Sequence, residues 1–313
     1  MLTTEKANPA GGPGFADSQT ISRGLHGHFM SCSDAVSSFR DAIRAAGIDP
    51  PDEIVADGQI HRFSVAGKRN KNGWYVLHAD GIPAGAYGDW RAGISETWTA
   101  RPSEQLPQAD RDAQRERMSE IRIQRDEERV RRFAEAQAKA RAIWGASTLA
   151  PADHPYLVRK AVAPHGVRTH KESLVIPAYD VDGVLHSIQF IASDGGKRFL
   201  TGGRVAGCMH VIGDLERAQT ILVCEGFATG ASVFESTGHT VACAFNAGNL
   251  LAVAKAIRSR RLDAKLIVAA DDDAATPGNP GLTAATEAAR AAGAMLAVPE
   301  FGPNRPEGAT DFN

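Results

Sequence analysis

The spacing of apolar residues changes character five times along the chain. Residues 1–29 are rich in Gly, Ser and Thr and poor in large apolar side chains, which predicts a flexible tail. His26 and His28, with Cys32 just beyond, read there as incidental polar residues rather than as metal ligands. Residues 30–100 carry the pattern of a small α+β domain. Phe39, Ile43 and Ala46 recur at helical spacing, Ser33 or Asp34 offers an N-cap, and Gly47 a stop. Alternating runs at 60–65, 74–77 and 84–87, separated by turn residues, predict a small antiparallel sheet. Residues 101–149 are dominated by Arg, Glu, Gln and Ala, and no Pro or Gly falls between Arg111 and Ile143. Met118, Ile121, Val130, Phe133 and Ile143 make only a thin apolar stripe, so this segment predicts a long, mostly exposed helix linking two bodies.

In residues 150–215 a short helix around Tyr156 precedes strand-like runs at 173–179, 184–191 and 198–200, and Asp182-Gly183 suits a tight hairpin turn. From 216 to 313, strands at 220–224, 240–245, 265–270 and 294–298 alternate with helices at 228–236, 250–258 and 281–292. Four strands separated by helices imply a parallel α/β sheet, whose working residues sit at the carboxyl ends of its strands.

Composition narrows the class. The 313 residues suit two domains, or one large domain with an appendage; they are 43% hydrophobic and 23% charged, an ordinary globular composition, and the net charge of −2 excludes a simple basic nucleic-acid coat. Residues 211–313 hold 8 basic and 12 acidic side chains, so the acidic excess lies in the α/β part. No apolar run is long enough to span a membrane, and no charged-then-apolar leader opens the chain. Cys32, Cys208, Cys224 and Cys243 lie far apart without a C-x-x-C pair, which argues against a zinc ribbon and a disulfide scaffold. The expectation is a cytoplasmic protein without membrane partners.

The predicted strand ends concentrate acids. The first is followed by Glu225-Gly226, the third by Asp271-Asp272-Asp273, and the fourth, after a Pro/Gly loop, by Asp311. Alternation points Asp271 and Asp273 one way and Asp272 the other. Paired hard oxygens with a Glu from a neighbouring strand suit Mg2+ or Mn2+. Lys68, Arg69 and Lys71 cluster in one turn close to Trp74 and Tyr75. They read either as a phosphate-contacting loop beside a base-stacking surface or as a solvated hairpin tip over core aromatics.

Val223-Cys224-Glu225-Gly226, followed by Val268-Ala269-Ala270-Asp271-Asp272-Asp273, resembles the Toprim domain shared by bacterial primases, topoisomerases and some nucleases. Upstream, Leu174–Asp180, Gly183–Phe190 and Gly195–Thr201 are similar to the hairpin and basic segment that lead into the Toprim domain of DnaG-type primases, with Lys197 on the basic position. The resemblance covers about residues 154–313, and is nearest to the primases of plasmids, phages and integrated elements; the Trp74–Trp90 stretch also looks like the amino-terminal region of such proteins. It implies a C-terminal parallel Toprim sheet flanked by helices, preceded by a small α+β primase-type subdomain and a further N-terminal α+β unit.

The resemblance further implies a DNA primase, a nucleotidyltransferase joining ribonucleotides on a single-stranded DNA template with Mg2+ or Mn2+. Asp271 and Asp273 would be metal ligands, Asp311 a weaker third, and Glu225 a ligand or the general base. Lys197 and Arg198 would hold the triphosphate or the template backbone. Ribonucleoside triphosphates are the implied substrates, and a replicative helicase an implied partner. Thr229 stands where replicative primases carry an acid, no zinc-ribbon cysteines precede the core, and the chain stops at Asn313 where relatives continue, as a fragment or short version would. Two other classes stay open: a Toprim-type nuclease, and a non-catalytic module binding single-stranded nucleic acid or a replication partner. A relaxing topoisomerase is disfavoured because all four tyrosines precede Glu225.

Overall fold

The computed structural model describes residues 31–65, 71–90, 92–101, 106–302, 305–306 and 308–313. The chain divides into two compact units, Met1–Ile121 and Arg122–Asn313. In the first, helix α1 (Cys32–Ala45) precedes an antiparallel sheet, β1 (His61–Phe63), β2 (Gly73–His78), β3 (Ala84–Asp89) and β4 (Ile94–Thr99), in that order. The cap of α1 is Ser31, whose hydroxyl accepts the Asp34 N–H at 3.1 Å. Ser33 and Asp34 instead lie in the first turn, where the Asp34 charge faces the positive helix end. Strand β2 is buried on both faces. Tyr75 and Leu77 pack with Phe39 and Ile43 of α1, while Trp74 and Val76 pack with Ile121 and Met118 in the first part of helix α2 (Gln108–Ala146). Gly85 makes room for this: a β-carbon there would lie 2.5 Å from the Val76 carbonyl and 2.8 Å from the Phe39 ring. Strand β4 escapes the sequence pattern because it is an edge strand whose central Ser95, Glu96 and Thr97 are exposed.

The second unit opens with the rest of α2, followed by β5 (Thr148–Leu149), α3 (Pro155–Lys160), β6 (Arg168–His170), β7 (Ser173–Tyr179), β8 (Leu185–Ile191) and β9 (Lys197–Phe199). These five strands form an antiparallel sheet in chain order. One face, with Val175, Ile188 and Phe190, receives Ala140, Ile143 and Trp144 of α2. The other, with Leu174, Ile176 and Ile191, packs against the second sheet's helix α4 (Phe227–Thr237) through Phe227 and Ala231.

That second sheet comprises β10 (His210–Ile212), β11 (Thr220–Cys224), β12 (Thr240–Cys243), β13 (Lys265–Ala269) and β14 (Met295–Ala297), in the order β10-β12-β11-β13-β14. Strands β11 to β14 are parallel, and the three-residue β10 adds an antiparallel edge that the apolar pattern does not reveal. Ile221 and Val223 of β11 enter the core under α5 (Ala247–Arg260) and α6 (Pro280–Ala292), and Leu222 and Cys224 the core under α4. Burial on both faces is why this strand reads as an unbroken apolar run. Among the described residues no helix is long and apolar enough to cross a membrane.

Candidate active site

The chain leaves β11 at Cys224, so Glu225 stands at the carboxyl end of the strand, one residue before Gly226, the N-cap of α4. The backbone amide of Ala247, the first residue of α5, acts on the Glu225 carboxylate and favours its charged form. Phe245 adopts a left-handed φ of +72° at the turn between β12 and α5. Its ring meets Phe199 of β9 edge-on, with centroids 5.5 Å apart.

Next to β11, β13 ends at Ala269 and delivers Asp271, Asp272 and Asp273. The Gly281 N–H at the start of α6 donates to Asp273 Oδ2 at 3.2 Å. Only glycine fits there, because a β-carbon would stand 2.6 Å from the Asp271 carbonyl oxygen. Asp311 arrives on the segment after β14, where the Asp272 N–H donates to the Thr310 carbonyl at 2.6 Å. Lys197 comes from β9: its Nζ lies 3.8 Å from where a β-carbon on Gly226 would be.

These groups share one electrostatic field. Burial, then the neighbouring Glu225, Asp311 and Asp273 carboxylates, push the Asp271 carboxyl up to about 7, against the opposing pull of Lys197. Burial and then Asp273 raise Glu225, with the Ala247 N–H and Lys197 opposing and Asp311 adding to the rise. One ammonium therefore does not balance the acids. Asp271 Oδ1 is buried without a hydrogen-bond partner, so this hard oxygen is left with its lone pairs unused. Among the described residues no group of three or more His, Cys, Asp and Glu is drawn close enough to enclose a metal ion. The carboxylates are hard oxygens, the donor type that suits a hard divalent cation.

Asp272 faces elsewhere. Its Oδ1 accepts from Asn279 Nδ2 and its Oδ2 from an Arg305 Nη, both at 2.7 Å, and these bonds hold its carboxyl below the ordinary range. Arg198 also leaves the cluster. Strand alternation turns it to the opposite face from Lys197, where its guanidinium lies 4.4 Å over the Phe190 ring. Lys71 is exposed in the first unit, and Lys68 and Arg69 lie outside the described residues. Trp74 and Tyr75 are only 0% and 3% exposed, so they are core aromatics and form no base-stacking surface. Thr229 is buried in α4.

Three contributors carry no sequence signal of their own: the Ala247 N–H, the Arg305 side chain and Tyr156. The Tyr156 hydroxyl is buried without a partner, and burial and then the Asp311 charge push it up to about 12.

Comparison with known proteins bears on the same residues. Residues 220–313 match the Toprim domain family. The chain is 37% identical over 282 residues to a DNA primase TraC of Escherichia coli, a stretch covering 85% of this chain and 26% of that protein. A second DNA primase TraC of Escherichia coli is 35% identical over 284 residues, 85% of this chain and 19% of the relative. The chain thus spans about a quarter or less of the length of these relatives. Among solved structures, it is similar to a chain of the bacteriophage T7 lagging-strand DNA polymerase interacting with primase domains of two gp4 subunits bound to an RNA/DNA hybrid and dTTP. That similarity has a TM-score of 0.34 and 16% identity, covering 48% of this chain and 80% of the other.

Proposed function

We propose that this chain, whose residues 220–313 match the Toprim domain family and which is similar over most of its length to the TraC proteins, performs the primer-forming chemistry of a DNA primase. The observation that carries the reading is the meeting of Glu225, Asp271, Asp273, Asp311 and Lys197 at one sheet edge, with Asp271 Oδ1 left unpartnered. The reaction joins ribonucleotides on a single-stranded DNA template. A 3′-hydroxyl oxygen bonds to the α-phosphorus of an incoming ribonucleoside triphosphate, the bond to pyrophosphate breaks, and the hydroxyl proton leaves to a base.

Asp271 and Asp273, with Glu225 and Asp311 beside them, would hold Mg2+ or Mn2+, which supplies charge neutralisation at the phosphate and acidifies the attacking hydroxyl. Glu225 has the raised proton affinity that suits an acceptor for the hydroxyl proton. Lys197, a basic side chain that acts on both Glu225 and Asp271, binds the triphosphate or the template phosphate. The chain works in the cytoplasm, where DNA and ribonucleotides are at hand, and a replicative helicase is the partner that would supply the single strand.

Glu225→Gln keeps the shape of the side chain and removes the base. Ribonucleotide incorporation on single-stranded DNA should lose about 100-fold or more in kcat with KM nearly unchanged. A parallel assay on labelled DNA and RNA separates the nuclease reading. If the wild-type chain cuts nucleic acid, and Glu225→Gln abolishes cutting while no primer is ever made, the site is a nuclease. If the chain binds single strands without either activity, it is a binding module.

A further inference from the structure

Asp311 belongs to no helix or strand. It follows β14 by fourteen residues, and the described residues between them form no helix or strand. A carboxylate on such a segment is placed only as well as the segment is held, so the contacts that hold it matter for the site.

Arg305 makes several of them. Its Nε donates to the Ala309 carbonyl at 2.8 Å, one Nη to Asp272 Oδ2 at 2.7 Å, and the other Nη to the Asp272 backbone carbonyl. Its guanidinium lies 4.4 Å over the Phe301 ring. Asp272 completes the clip from its own side, through its N–H to the Thr310 carbonyl at 2.6 Å. The second Asp272 oxygen is fixed by Asn279, the N-cap of α6. Both carboxylate oxygens of Asp272 are therefore engaged, and the residue that they anchor lies between Asp271 and Asp273 in the chain. Beyond Asp311, Asn313 Nδ2 donates to the Lys160 carbonyl at 2.8 Å and to Ser232 Oγ at 2.9 Å, and Phe312 packs against the core under α4.

We infer that Arg305 is a positioning residue of this centre: by clamping Asp272 to the 309–310 backbone, it sets where the Asp311 carboxylate stands relative to Asp271 and Asp273. The inference rests on reading these acids as a cation-dependent centre. Arg305 acts through Asp311 and touches neither substrate nor cation. The division of labour within the acidic triplet follows. Its outer members face the reaction and its middle member faces the clip. A lysine cannot replace the guanidinium, because one ammonium on a flexible stem does not reproduce three donors in a plane resting on an aromatic face.

The test uses the full chain and Mn2+ alone, titrated by electron paramagnetic resonance. Arg305→Ala should weaken Mn2+ binding about tenfold, the order that a charge-assisted contact contributes. Arg305→Lys should recover only part of it. In an Asp311→Ala background, Arg305→Ala should change Mn2+ affinity less than twofold, because the group it acts through is gone. Independent losses that multiply would overturn the inference, as would unchanged Mn2+ binding in Arg305→Ala. Metal-free amide hydrogen exchange separates the clip from the cation reading: peptides over 271–273 and 308–313 should exchange faster in Arg305→Ala. Unchanged exchange contradicts the clip even if Mn2+ binds. Conversely, faster exchange in a protein whose Mn2+ binding ignores Asp271→Ala/Asp273→Ala removes the cation centre, and the positioning role with it. Asp272→Asn, which keeps the side chain's shape, repeats every arm should Arg305→Ala fail to fold.

Discussion

Asp271 and Asp272 are adjacent in the chain and opposite in circumstance. Asp272 gives both oxygens to donors and is held ionised, whereas Asp271 is half-buried among like charges with one oxygen unpartnered. The second situation costs stability in a predictable direction. Without divalent cation the folded chain raises Asp271 from the ordinary 3.8 to about 7. A carboxyl that holds its proton more tightly when folded adds stability below its ordinary value, and that stability is lost as pH rises through about 7. Asp271→Asn cannot ionise. In chelator at pH 8 it should therefore melt higher than wild type by about 2–4 °C, corresponding to about 1–2 kcal/mol after screening of a partly exposed group, and the gap should close by pH 4. Thermal melts at the two pH values check this, and an equal gap at both would contradict it.

The three acids of the triplet were legible at this scale, because alternation at a strand end assigns directions without any partner. Arg305 was not. It sits in Gly302-Pro303-Asn304-Arg305-Pro306, where no periodicity exists and only the folded chain brings it beside Asp272.

Strand β9 shows what one register decides at the scale of an element. Its three residues pair with Gln189, Phe190 and Ile191 of β8, which sends Lys197 toward the acids and Arg198 over Phe190 on the α2 side. The two cations are neighbours in sequence, yet only one reaches the site. Lys197→Ala should raise the KM for nucleotide or template about tenfold, and this effect should grow as salt is lowered because phosphate contacts are screened. Arg198→Ala should change it less than twofold. Steady-state primer synthesis at two ionic strengths measures both, and equal effects from the two variants would remove the distinction. A tripeptide strand cannot reveal its facing by pattern, which is why the sequence offered Lys197 and Arg198 alike. The same brevity hid β5, β6 and β10, while β7, β8, β11 and β13 stood out as long apolar runs buried on two faces.

At the scale of the whole molecule, the chemistry is unevenly distributed. The second unit holds the acids and Lys197, while among the described residues of the first Trp74 stacks on Trp90 at 5.2 Å and Tyr75 meets Phe39 in the core.

The central claim is that the acids gathered at one sheet edge join ribonucleotides. It is tested most directly by incubating the purified chain with single-stranded DNA, labelled ribonucleoside triphosphates, and Mg2+ or Mn2+, then resolving the products by length. The account predicts short, template-dependent RNA products from wild type with at least one of the two metals, and none from Asp271→Asn/Asp273→Asn protein that melts cooperatively. Products of equal yield from that double variant would contradict it.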